Sequence, residues 1–473
     1  MSELMRWRRR AEPDDGFALI VVMVVISIVT IMTIGMIATG LHLDQATARG
    51  RRHSVALQAA EAGLDQAVYQ LSQDGLYTGT GGPVPVPGGQ YEVTVTVPRR
   101  GWATIVSTGY VPTKTAANVV KRRIRATYGP ERAFRYALFS ESGLEVKNNG
   151  ETVGDVFANQ AVVLTNNSAV RGSVTSATGK VQLENNATVR KNDEGEGGDV
   201  RSGGYDLGGA WGVQLQGGAV VEGNVSARAE QCPGSSADDS LYNVSNNGQI
   251  QGNAIARGNI NGSVQGSKTP FTCVERPATQ QLPQFHYDPE LYPSPNEYGA
   301  SPDADGVRTG ALAAFQTWAG THKDSMTGTH RVMDAACRDA PGGTDNKVEL
   351  TDTTITGDFT LITNCRVDFG NGSSYSGSPD AYVTIISLNG STSPAAIDIK
   401  NNFEIPNPGP AVLMYSPGLI EVKNDSETNG AVFAGSISFK NNMDVTYDPR
   451  VERTIGFGSK RYERISWEEI PAT

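Results

Sequence analysis

Residues 17–39 read FALIVVMVVISIVTIMTIGMIAT, an apolar run without a single charge. As an α-helix rising 1.5 Å per residue, a run of about 23 residues covers the ~30 Å hydrocarbon core of a bilayer. The pattern predicts a membrane-spanning helix. A secretory signal peptide would stop after ~7–15 apolar residues and end in an A-x-A-like cleavage site, which this run lacks. Over residues 40–73, small and apolar positions return at helical spacing, at Ala56, Ala59, Ala60, Gly63, Leu64, Ala67, Val68 and Leu71. The same helix is therefore expected to continue as an amphipathic half that lays one face on a partner.

After a loop rich in Gly and Pro at 79–89, the period changes to two. Residues 91–97 (YEVTVTV) alternate strictly, and 104–111 and 119–128 are two more strand candidates. Three β-branched strands within 90–130 predict a small antiparallel sheet that covers the helix's apolar face, an α+β head.

From residue 140 a short pattern recurs: LEVKNN at 144–149, VQLENN at 181–186, VQLQGG at 213–218, IDIKNN at 397–402, IEVKND at 420–425 and ISFKNN at 437–442. An apolar-x-Gly-x-apolar pattern interleaves with it, as at 170–174 and 221–225. Two inward residues per strand, ended by residues that tolerate left-handed backbone, make one side of a coil. Spacings of about 17–19 residues then predict a mainly-β right-handed parallel β-helix, whose stacked coils bury a core that no single repeat could bury. The solenoid is expected over 140–275 and again over 346–473, the latter including a C-terminal tail. Six prolines between Pro277 and Pro302 break the pattern, so 276–345 reads as an excursion, with one short helix at 310–321.

Composition adds compartment and excludes one partner class. The chain of 473 residues carries a net charge of −10, a field that repels phosphate backbones, so nucleic acid is not an expected partner. With 38% hydrophobic and 19% charged residues it is a folded polymer, not a disordered one. The four cysteines, Cys232, Cys273, Cys337 and Cys365, all follow the apolar run and lack CxxC spacing or a companion His cluster. Zinc is not expected, and no other cofactor is implied. Two disulfides in an oxidising compartment are, with Cys232–Cys273 and Cys337–Cys365 one of three connectivities.

Immediately before the span stand Asp14-Asp15-Gly16-Phe17-Ala18-Leu19-Ile20. This resembles the class III signal of type IV pilins, in which a prepilin peptidase cuts after Gly and methylates the new N-terminal Phe. The resemblance implies processing between Gly16 and Phe17, with the basic leader 1–16 left in the cytoplasm. Val21 stands where major pilins carry Glu, an absence that the PilX-like class of minor pilins tolerates. Residues 57–64, LQAAEAGL, resemble the AEAGL element of PilX-type N-terminal domains. The implied protein is a structural, non-enzymatic minor pilin with one pass through the cell membrane and its bulk outside. Its implied partners are other pilins through the helix, the prepilin peptidase and inner-membrane lipid. The repeat region resembles bactofilin-like and other polymer-forming β-solenoids in pattern, and its Asn-, Ser- and Thr-rich flank offers an adhesive surface for glycans.

The rival reading is a membrane-tethered enzyme acting on polysaccharide, which needs carboxylates or basic groups gathered on one solenoid face. Asp193, Glu194, Glu196 and Asp199 in the stretch KNDEGEGGD are its candidates, against the plainer reading of a solvated loop. His286-Tyr287-Asp288 reads as a surface turn. Residues 301–306, SPDADG, share only the beginning of a calcium-loop pattern.

Overall fold

The computed structural model describes residues 15–73, 77–99, 102–130, 135–204, 211–228, 243–287, 289, 292, 295–343, 345–401, 403–405, 409–453 and 462–471. Two compact units divide the chain: Met1–Gly129 with Lys460–Thr473, and Pro130–Ser459.

The first unit is built on α1, Asp15–Gln73, a continuous helix of 59 residues. Its apolar stretch Leu19–Ile37 has a mean hydropathy of 2.8 and none of it is buried within the chain. The hydroxyls inside that stretch are satisfied by the helix itself. Ser27 donates to the Met23 carbonyl at 2.8 Å, and Thr30 and Thr33 donate to Ile26 and Val29 at 2.7 Å. A side chain bound for lipid must find its acceptor in this way.

The other half of α1 lies on an antiparallel sheet of β1 (Val84–Val86), β2 (Gly89–Arg99), β3 (Trp102–Val111) and β4 (Val120–Pro130). Ala60, Leu64, Ala67 and Leu71 share a core with Val93, Ile105, Ile124 and Ala126. The fit is too close for larger residues at two points. A Cβ on Gly109 would lie 2.8 Å from the Ala60 nitrogen, and one on Gly63 would lie 2.7 Å from the Tyr91 ring. A fifth strand, Tyr462–Ile470, closes the sheet beside β4. Arg125 Nη1 lies 3.1 Å from Glu468 Oε1 on that strand, and Arg122 pairs with Glu469. The tail that sequence reading had attached to the second solenoid part is thus a strand of the small sheet, and the whole second unit is spliced between β4 and this strand.

The second unit is a parallel β-helix of three-sided coils. β5 (Leu138–Ser140), β6 (Leu144–Val146) and β7 (Glu151–Val153) form one coil, and the next stacks on it in register, Leu138 on Val156 and Leu144 on Val162. Inward residues such as Val146, Leu164 and Leu183 are fully buried and make the narrow aliphatic core. The period of 18 and 19 residues is visible in the corner bonds: Asn166 Nδ2 donates to Asn148 Oδ1 at 2.7 Å, and Asn185 Nδ2 to Asn166 Oδ1 at 2.9 Å. Both asparagines of the pairs 148–149, 166–167 and 185–186 sit in left-handed backbone, with φ of 49 and 63° at Asn148 and Asn149.

Coil order in space differs from chain order. Strand Ser426–Phe439 pairs with β5 and β6, and Met443–Thr446 pairs with β7. The chain therefore enters mid-stack at β5, climbs to one end at Lys268–Thr269, and returns by the excursion. It then starts again at the far end, where Asn296–Glu297 pairs with Met326–Val332, and works back to the middle. At that far end α2 (Ala311–Thr321) inserts Ala311, Phe315 and Ala319 into the core beside Met326 and Val348, capping the stack as solenoids require.

Candidate functional site

Gly16 and Phe17 fall in the first turns of α1; their side chains, like the leader up to residue 14, lie outside the described residues. Among the cysteines, Cys337 and Cys365 form a disulfide with Cα atoms 4.9 Å apart, and both are fully buried. Cys273 is disulfide-bonded, and Cys232 lies outside the described residues. The bridge at Cys337 sits in a fastened junction. Asp334 caps α3 (Ala335–Asp339), accepting from the Ala336 nitrogen at 2.8 Å, while its other oxygen accepts from the Leu312 nitrogen of α2 at 2.7 Å. One carboxylate thus holds the starts of two helices, and the disulfide holds the second to the coil behind it.

Inside the cap lies His330, fully buried among Tyr298, Phe315, Trp318 and Phe359. Its Nδ1 is 2.7 Å from the Tyr298 hydroxyl and its Nε2 is 2.9 Å from the Thr327 carbonyl. Burial, with a smaller push from His322, lowers its pKa. Nothing in the spacing of a lone histidine signalled this site.

The acidic stretch that sequence reading singled out lines a cleft of about 890 Å³ on the solenoid flank. Its walls carry Asp155, Asp193, Glu194, Glu196 and Asp199 together with Arg135, Arg171, Arg201 and Arg228, and the excursion closes one side at Pro277–Gln280. Sequence reasoning missed the arginines, because they come from different coils and only stacking gathers them. Much of the charge is internally matched. Arg171 Nε lies 2.5 Å from Glu151 Oε1 and its Nη1 3.6 Å from Asp193, and Arg201 lies 2.9 Å from Asp199. Asp199 also braces a corner, accepting from the Asn224 nitrogen at 2.8 Å, as Asp155 does from the Ser173 nitrogen at 2.7 Å. Burial, followed by the repulsion of Arg201, lowers the Arg228 pKa. Carboxylates used as corner braces and ion-pair partners are not free to exchange protons with a sugar.

Neither of the other candidates gathers a site. His286 is exposed, Tyr287 lies under the Arg331 guanidinium at 4.2 Å, and Asp288 is outside the described residues. In the loop 301–306, Asp303 accepts from the Asp305 and Val307 nitrogens and meets Arg338 Nη1 at 2.7 Å, so a guanidinium stands where a calcium ion would be expected. Those bonds, Val307's first, hold the Asp303 carboxyl below its usual range.

No protein-family model matches the chain, and no curated protein matches it in sequence. Among solved structures, the competence-associated pilin ComZ from Thermus thermophilus aligns over 88% of this chain and 97% of its own, at 13% identity and a TM-score of 0.27. A score that low does not establish a common fold.

Proposed function

We propose that this chain is a PilX-like minor pilin: a membrane-anchored structural subunit that joins a filament through α1 and displays a β-solenoid outside the cell. The observation that carries the reading is α1 itself. Its 59 residues divide into an unpartnered apolar half, which follows Gly16-Phe17, and a half fixed to an antiparallel sheet by small residues. An apolar helix without a partner in its own chain is stable only in lipid or against other such helices. Cleavage after Gly16 by a prepilin peptidase would remove the basic leader and free the helix to pass from the inner membrane into a filament core made by other pilins.

The inserted unit, Pro130–Ser459, is more than twice as long as the stretch Met1–Gly129 that precedes it. Repeated along a shaft such a module would crowd its neighbours, which suits a rare or tip position. The buried Cys337–Cys365 disulfide suits the oxidising side of the membrane. The role we propose is structural, and it fits the commitment of Asp199 to a corner brace and an ion pair.

Intact mass and N-terminal sequencing of the protein from membranes of cells with and without prepilin peptidase test this. The expected mature chain begins at a methylated Phe17 only when the peptidase is present. A chain still starting near Met1, or one cut beyond Thr39, overturns the reading.

A further inference from the structure

We infer that the flank cleft bounded by Arg135, Glu194, Glu196 and Gln280 is a binding site for an uncharged oligosaccharide. The inference goes beyond the filament reading and stands on the solenoid unit alone.

Size comes first. A cleft of about 890 Å³ falls in the upper part of the ~300–1,000 Å³ range of ligand sites. Such sites are mostly lined by apolar side chains, whereas most of the surface of this one is polar, so its complement is a ligand covered with hydroxyls. Charge comes next. Four Arg against five Asp and Glu leave a formal −1 over the whole lining, which favours neither a polyanion nor a polycation.

Unspent hydrogen-bonding capacity then singles out the contacts. Arg171, Arg201, Asp155 and Asp199 are engaged with one another's neighbours and with backbone, as described above. The side chains of Glu194 and Glu196 are exposed and make no polar contact among the described residues. Among the described residues, the Arg135 guanidinium meets only the Tyr136 ring, 5.5 Å from its centroid. Planar carboxylates and a guanidinium facing one space can each grip two adjacent hydroxyls, which a pyranose ring presents in pairs. The half-buried rings of Tyr136 and Tyr447 give the same space apolar surface for the C–H side of such a ring.

The frame is held before any ligand arrives. Gln280 is pinned to the solenoid by reciprocal bonds: its nitrogen donates to Asn159 Oδ1 at 2.9 Å, and Asn159 Nδ2 donates to its carbonyl at 2.6 Å. Its side-chain amide donates to the Tyr136 hydroxyl at 2.6 Å, and Leu282 beside it is buried in the same cluster as Phe139 and Phe157. A wall fixed in this way saves the ordering cost that a loose loop would add to binding.

The test uses the full chain in a polyoxyethylene detergent, which has no sugar headgroup. The chain is applied to an array holding neutral hexasaccharides of glucose and of N-acetylglucosamine, with polygalacturonate as the acidic comparator. Calorimetric titration with the neutral hexasaccharide that binds follows. The expected result is binding of a neutral glycan with little change between about 0.05 and 0.5 M salt. Affinity should fall about tenfold or more in the Glu194→Gln/Glu196→Gln double variant and in Arg135→Ala. Those side chains hold no part of the fold, so unfolding midpoints should not move. Binding of polygalacturonate alone, neutral binding that the variants leave intact, or no glycan binding would each overturn the inference. A chain that fails the maturation test yet binds the neutral glycan would lose the filament role and keep this site.

Discussion

The same substitution should have opposite signs at two glycines of α1. In a helix interior, replacing Gly by Ala stabilises by about 1 kcal/mol, because Gly has more backbone freedom to lose. Gly50 meets this condition, since a Cβ there would have nothing within 4 Å. At Gly63 the Cβ would lie 2.7 and 2.9 Å from the Cδ2 and Cγ of Tyr91, and it would also strike the Ser107 hydroxyl. Ser107 can rotate away, but the Tyr91 ring cannot, because it is 6% exposed and packed between helix and sheet. Overpacking of that kind costs about 1–3 kcal/mol, so Gly63→Ala should be net destabilising by up to about 2 kcal/mol after the helix gain is subtracted. Amide hydrogen exchange of the full chain in detergent, followed over residues 45–70 and over β2 and β3, reads both effects locally. Greater protection around residue 50 in Gly50→Ala and lost protection in β2 and β3 in Gly63→Ala are expected. Protection gained in both variants would refute the claim that Gly63 sets the helix–sheet distance.

Three further outcomes follow from the solenoid unit. Removing the Cys337–Cys365 bridge, which closes a separation of 28 residues, should destabilise the unit by about 3–4 kcal/mol on the loop-entropy estimate, read as a shift in denaturant midpoint of the Cys337→Ala/Cys365→Ala variant. Asn148→Ala deletes the bonds to Asn166 at 2.7 Å and to Asn441 at 2.6 Å and leaves Ala at a φ of 49°; about 2–4 kcal/mol should be lost, and a double-mutant cycle with Asn441→Ala should show coupling of about 0.5–1.5 kcal/mol. For His330 the folded pKa lies below the unfolded value of about 6.5, so the unfolded chain takes up the proton first. Stability at the cap should therefore be complete above about pH 6.5 and fall as the pH drops below it, and His330→Gln should flatten that dependence in urea unfolding curves measured from pH 7.5 to 5.

Much of this architecture was legible because it is periodic. The helix of 59 residues follows from one apolar run and one amphipathic stretch, and the coil length follows from Asn pairs 17–19 residues apart. Each of those signals lies within a single coil or a single helix. What the sequence did not disclose depends on contacts between distant coils. The strand YERISWEEI of Tyr462–Ile470 alternates, but mostly with charge, and its place beside β4 rests on ion pairs to Arg122 and Arg125 that are more than 300 residues away. The cleft arginines come from separate coils, and no local pattern links Arg171 to Arg228. The role of α2 was hidden for the same reason: Phe315 reads as one apolar residue in a short helix until the end of the stack supplies the surface that it closes.

The order of coils explains how so large a unit can be carried inside a small sheet. A solenoid entered at one end and left at the other would hold its chain ends many coils apart, and the host strands would have to span that distance. Here the ends meet. Ala137, where the chain comes in, and Tyr447, where it leaves, both pack over Gly154, whose absent Cβ would lie 3.0 and 2.7 Å from theirs. Tyr447 donates its backbone nitrogen to the Val153 carbonyl at 2.7 Å, and Ala137 donates to that of Asp155 at 2.9 Å. In the host unit the matching ends, β4 and Tyr462–Ile470, are neighbouring strands. A hairpin-like gap in one unit is bridged by another whose own ends are close, so the insertion costs the sheet little more loop entropy than a short surface loop would. The Asn corner passes through the junction unbroken, since Asn148 bonds Asn441 across a separation of 293 residues as it does Asn166 across 18. The two halves of the repeat are therefore one structural stack read in a permuted order, and the excursion is the connection that the permutation requires.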